Sequence, residues 1–187
     1  MRVIYCAAMD TLNALYAHVS TPDAIDTENE AIDAGIGALL ARHGRTIATA
    51  ESCTGGLIAA RITGVSGSSA YFEGGIVSYS NEAKHRLLGV PTLMLERYGA
   101  VSVDVALAMA RGVRRKLGTD IGIASTGIAG PTGATPIKPV GLVYIALAAD
   151  GVERCQRHLW DGDRLPNIIA SAEAALRLVH AYLEELH

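Results

Sequence analysis

The sequence predicts an α/β fold: a three-layer α/β/α domain with a mixed, mostly parallel sheet. Three observations predict it. Short apolar runs of strand length alternate with stretches of helical periodicity through the first two thirds of the chain. A hairpin signal follows, which brings antiparallel strands into the sheet. Half of the 187 residues are hydrophobic but only 5% are aromatic, so Ala, Val, Ile and Leu build the core, with close backbone approaches at the 20 glycines.

The elements read in order as follows. Residues 1–26 form an N-terminal appendage: Leu12, Leu15, Tyr16 and Val19 have helical spacing, and Ser20-Thr21-Pro22-Asp23 breaks it. The domain proper spans 27–187. Thr27 with Glu30 is a capping-box pattern for a helix whose apolar face is Ile32, Ile36, Leu39 and Leu40, ended by Gly44. Residues 46–50 are a short buried strand, and Ser52 opens a helix to about Thr63. Residues 71–79 read as a strand with a bulge at Gly74-Gly75. Ser80 caps a helix through Leu88, Pro91 starts a short one, and Ser102 caps a longer one with Ala106, Ala110, Val113 and Leu117 inward. Residues 121–125 are a strand, and 126–139 are a Gly/Pro-rich loop. Residues 140–148 and 153–159 pair around Asp150-Gly151, and a final helix covers about 165–186.

Composition excludes several classes. The net charge of −3 lacks the basic excess of a nucleic-acid binder, so no nucleic-acid partner is expected. The cluster Arg111, Arg114, Arg115 and Lys116 closes a helix, where cations favour the dipole. No apolar run reaches the ~20 residues a membrane helix needs, and the opening stretch is too short for a signal peptide. Three cysteines, Cys6, Cys53 and Cys155, are an odd, sparse set that suits a reducing cytoplasm. None of the six histidines forms a ligand-spaced pair with another, so neither a metal nor another cofactor is expected.

Chemistry concentrates in three segments. Ala50-Glu51-Ser52-Cys53-Thr54-Gly55-Gly56 lies where a strand hands over to a helix N-terminus, whose free N–H groups suit an anion. Simple N-capping by Ser52 or Thr54 is the plain alternative. In Gly75-Ile76-Val77-Ser78-Tyr79-Ser80-Asn81-Glu82-Ala83-Lys84, Tyr79 ends a strand and Lys84 follows within two helical turns. Ser125-Thr126-Gly127-Ile128-Ala129-Gly130-Pro131-Thr132-Gly133 ends a strand in a Gly-rich loop. In an open α/β sheet, strand C-terminal ends bind ligands, so all three converge on one rim.

These strings, with Gly99-Ala100-Val101-Ser102, Lys138-Pro139-Val140-Gly141 and Gly162-Asp163-Arg164, strongly resemble the CinA C-terminal domain family, the nicotinamide-nucleotide amidohydrolases. The resemblance covers about residues 27–187. It implies an amidohydrolase converting nicotinamide mononucleotide (NMN) to nicotinate mononucleotide and ammonia, with a nucleotide as its small-molecule partner. It also implies a catalytic set falling on Ser52, Tyr79 and Lys84, with Cys53, Thr54, Gly55, Gly56, Asn81, Thr126, Gly127, Ala129 and Gly130 around the substrate. Together with the apolar final helix, it points to a homodimer or higher homo-oligomer. Gly133-Ala134-Thr135 departs from the more usual Gly-Gly-Thr, which would reshape the loop if Ala134 needed a positive φ.

On this reading Ser52 attacks the carboxamide, Lys84 takes its proton and Tyr79 relays the proton or orients the lysine. A free lysine has a pKa near ~10.4, so burial must depress it. Three rivals stand beside this scheme: a Cys53 nucleophile activated at a helix N-terminus, a nucleotide-binding regulatory module without turnover, and a role on DNA.

Overall fold

The computed structural model describes residues 27–186; the appendage at 1–26 lies outside the described residues, as do the side chains of the Thr27/Glu30 capping box. Helix α1 (Thr27–His43) leads into β1 (Ile47–Glu51), α2 (Leu57–Gly64) and, after a 3-10 turn at Ser68–Ala70, β2 (Phe72–Val77). Three helices follow: α3 (Asn81–Leu88), α4 (Thr92–Tyr98) and α5 (Val103–Leu117). The chain closes with β3 (Ile121–Gly127), β4 (Leu142–Ala149), β5 (Val152–Leu159) and α6 (Arg164–Glu184). The sheet order is β2-β1-β3-β4-β5. Strands β2, β1 and β3 are parallel, and β4 runs against both of its neighbours. The expected three-layer α/β/α domain with a mixed sheet is therefore present.

Strand alternation gives the two faces of the sheet different textures. Ile47, Ile121, Ile123, Ile145 and Leu147 point into one core, shared with Ile36 and Leu40 of α1, Ile58 and Ile62 of α2, and Leu176 and Val179 of α6. Ala48, Ala50, Ala124, Ala146 and Ala148 point into the other, against Leu88, Leu95, Met109 and Val113. The small residues let α5 lie close on the sheet. Gly122 is the extreme case, because a Cβ there would sit 2.2 Å from the Ala110 carbonyl oxygen.

Several boundaries differ from the sequence reading. The helix expected from Ser52 starts at Leu57, because Gly55 and Gly56 take φ values of 64° and 107° and hold the chain in turns first. Strand β3 continues through Thr126 and Gly127, which were expected in the loop. A bulge is present in β2 but at Glu73, just before the expected Gly74-Gly75, since Phe72 and Gly74 face consecutive residues of β1. The apolar face of α6 is consumed within the chain, since Ala172, Ala175, Val179 and Tyr182 pack into the first core. It therefore gives no support to a dimer. Ala134 does not adopt a positive φ; in that loop Gly133 does, at 95°.

A Gly122→Ala substitution is expected to destabilise the domain by ~3 kcal/mol or more, since two backbones must part to admit one methyl group. Urea unfolding of the variant checks this, and an unchanged midpoint would mean that α5 is not held as close as the structure places it.

Candidate active site

The parallel strands end in register. Glu51, the last residue of β1, pairs with Val77 of β2 on one side and Ser125 of β3 on the other. Ser52 follows directly, its amide donating to the Ser125 carbonyl at 3.0 Å. Strand β2 hands over through Ser78 and Tyr79 to Ser80, whose hydroxyl caps α3 by accepting from the Ala83 amide at 3.0 Å. That cap sets the helix so that Lys84 turns under the strand ends.

Lys84 is 1% exposed, unusual for a side chain that almost always reaches water. Its Nζ lies 2.9 Å from Ser52 Oγ and donates to the Ser78 carbonyl at 2.6 Å. Burial lowers its pKa from 10.5 to about 8, so a substantial neutral fraction exists near physiological pH. A neutral amine can accept the Ser52 hydroxyl proton through its lone pair. Two of the three expected catalytic residues are thus brought into hydrogen-bonding distance across 32 residues of sequence.

Tyr79 is placed differently. It is 62% exposed, and its hydroxyl accepts from Arg164 Nη2 at 2.9 Å. The relay assigned to it needs a contact with Ser52 or Lys84, and no such hydrogen bond is made among the described residues. Strand β2 ends at Val77, two residues short of the expected strand, and in the connection that follows Ser78 is fully buried while Tyr79 faces out.

The surroundings of Ser52 also revise the sequence reading. Cys53 is buried and its thiol is pushed up to about 12 by desolvation, which keeps it protonated and opposes the rival in which it is the nucleophile. The N-terminus of α2 is not an open anion site. The Glu51 carboxylate, with zero exposure, fills it: Oε2 accepts from the Gly56 and Ile58 amides at 2.9 and 3.1 Å, and Oε1 from Ala59 at 2.9 Å. Thr54 donates its hydroxyl to Oε2 at 2.6 Å, so that group is committed inside the protein. Gly55 and Asn81 remain exposed at the rim, and Gly56 is half-buried.

In the third segment, the Thr126 hydroxyl donates to the Ala100 carbonyl at 2.9 Å. Gly127 faces β4 so closely that a Cβ would meet Val143 at 2.6 Å. The Ala129 carbonyl accepts from Asn167 at 3.0 Å and the Gly130 carbonyl from Arg164 at 2.8 Å. Thr126, Ala129 and Gly130 are buried and committed to these internal contacts, held from behind by the start of α6. The sequence reading missed Glu51 as a partner of α2, the Ser78 carbonyl as a partner of Lys84, and Asn167 and Arg164 as supports. The one available signal was an acid just ahead of a helix start, where the dipole favours it. Among the described residues, no group of three or more His, Cys, Asp or Glu side chains is arranged to hold a metal ion.

A family model described as the CinA C-terminal domain matches residues 29–183. A CinA-like protein of Geotalea daltonii is 49% identical over 177 residues, covering 94% of this chain and 41% of the relative. The chain spans about two fifths of the length of the curated relatives it matches first. Among solved structures, competence damage-inducible protein A of Klebsiella pneumoniae superposes with a TM-score of 0.82 at 31% identity, covering 85% of this chain and 99% of that one. A competence/damage-inducible protein of Agrobacterium tumefaciens gives 0.81 at 39% identity, covering 84% and 96%.

The buried amine carries a stability signature. Charging Lys84 costs about 3 kcal/mol more in the folded state than in the unfolded chain. Its folded pKa lies below its unfolded one, so between about pH 8 and 10.5 the unfolded state binds more protons and stability rises with pH. The difference in unfolding free energy between wild type and Lys84→Met is expected to move by that amount in favour of wild type across the window. A pH-independent difference would show that Lys84 titrates alike in both states.

Proposed function

The chain belongs to the CinA C-terminal domain family, and from that membership and the Ser52–Lys84 pair we propose that it hydrolyses the carboxamide of NMN to nicotinate mononucleotide and ammonia. The observation that carries the reading is a buried lysine amine 2.9 Å from a serine hydroxyl at the C-terminal ends of parallel strands. Neutral Lys84 takes the Ser52 proton as Oγ attacks the carboxamide carbon. The amides of Cys53 and Thr54 follow Ser52 directly, and no backbone carbonyl among the described residues accepts from either. They are available to the oxyanion of the tetrahedral intermediate. The Lys84 ammonium returns its proton to the departing nitrogen, and ammonia leaves. Water then attacks the acyl-Ser52 ester, with Lys84 again as base, and nicotinate mononucleotide is released.

Tyr79 and Arg164 frame the rim. Because Tyr79 accepts from Arg164, it keeps its own proton to donate to substrate, a positioning role in place of the relay. A reshaped Gly133-Ala134 loop would give some support to a regulatory module without turnover. Its ordinary backbone at Ala134 removes that support.

Ser52→Ala is expected to lower ammonia release from NMN by ~10³-fold or more while calorimetry still detects NMN binding. Lys84→Arg should be nearly as damaging as Lys84→Ala, because arginine keeps the charge but does not deprotonate in this range. A Lys84→Arg enzyme with near-normal kcat would move Lys84 from base to substrate anchor.

A further inference from the structure

Glu51 is a carboxylate with zero exposure, and the mechanism above gives it no task. An acid buried this way is held by donors, and here they all come from the segment that follows Ser52. The amides of Gly56, Ile58 and Ala59 point at it, and Thr54 adds its hydroxyl. Thr54 has one hydroxyl proton, and it goes to Glu51. The 2.6 Å contact between Thr54 Oγ1 and Ser125 Oγ therefore has Ser125 as donor. The result is a directed chain, Ser125 to Thr54 to Glu51, with the carboxylate as its terminal acceptor.

Ser125 meets the nucleophile's turn twice. Its hydroxyl holds Thr54, and its carbonyl accepts the Ser52 amide. The turn is closed locally by the Gly55 amide on the Ser52 carbonyl at 3.2 Å. Residues 51 to 56 are thus pinned to β3 at one end and to α2 at the other, with Ser52 between the pins. Nothing in this arrangement leaves α2's N-terminus free for a substrate phosphate.

We infer that Glu51, acting through Thr54 and Ser125, is the positioning residue of the Ser52 nucleophile, setting the angle at which Oγ and the two amides after it face the substrate. The inference rests on the Ser52 reading above. Glu51 touches neither Lys84 nor the rim in any hydrogen bond, so its removal should act on geometry rather than on the base. A displacement of about 1 Å at a reacting atom lowers rate on the order of 10²-fold.

The test measures NMN deamidation by Glu51→Gln, Thr54→Val and Thr54→Ser, each at a temperature where circular dichroism shows it folded. Glutamine replaces one acceptor oxygen with a donor facing the amides. Valine keeps the shape of threonine and removes the hydroxyl. The expected result is a fall in kcat of about 10²-fold for Glu51→Gln and Thr54→Val, with KM within about threefold and the midpoint of the pH–rate limb unmoved. Thr54→Ser should restore most of the rate lost in Thr54→Val. If Glu51→Gln does not fold, the threonine pair decides alone. A kcat near wild type in a folded Thr54→Val enzyme overturns the inference, as does a loss confined to KM or a Thr54→Ser enzyme as slow as Thr54→Val. If the wild-type chain releases no ammonia from NMN, the proposed function fails by itself. The inference is then read from the rate at which a fluorophosphonate labels Ser52, with Ser52→Ala as blank. Equal labelling of wild type and Thr54→Val overturns it there.

Discussion

Taking the Lys84 amine out of water is the constraint on which the site depends. Two acceptors, Ser52 Oγ and the Ser78 carbonyl, meet it, and both lie at strand ends. Three residues separate β2 from the helix that carries the lysine, so the sheet edge and the Ser80 cap fix where the amine arrives. A lysine in this position destabilises the folded state at neutral pH. The same desolvation lowers its pKa toward the range in which it can act as a base. The stability cost and the chemical use have one physical cause.

The asymmetric sheet makes that position possible. Isoleucines on one face support α1, α2 and α6, while alanines and Gly122 on the other admit α5 at close range. Helix α3 packs against α5, with Leu88 in the same core as Met109 and Val113. At the rim Tyr79 and Arg164 are bonded to each other, and Arg164 also ties down the Gly130 carbonyl.

Much of this was legible in the sequence, and what was not has physical reasons. Short apolar runs such as Ile47 to Ala50 and Ile121 to Ala124 marked the strands, and Ser80 and Ser102 marked helix starts through their caps. The proximity of Ser52 and Lys84 followed from the resemblance and from adjacent parallel strand ends. The start of α2 was misplaced because two glycines in left-handed conformation hold a turn where apolar spacing alone reads as helix. Glu51 was seen in its motif but not as the filler of α2's N-terminus, since the side chain curls over residues that come after it. Tyr79 was placed in the catalytic set by the resemblance, whereas in the structure it sits past the end of β2 and bonds to a partner 85 residues away. Contacts of that span leave no periodic trace.

The chemistry at this site requires the buried Lys84 amine to lose its proton near neutral pH. The direct measurement is a pH titration of the Lys84 side-chain nitrogen or Cε by NMR on the labelled protein, assigned with Lys84→Arg. The expected midpoint is about 8, well below the ordinary lysine value. A midpoint at the ordinary value would contradict it, because a fully charged ammonium beside Ser52 cannot take the serine's proton.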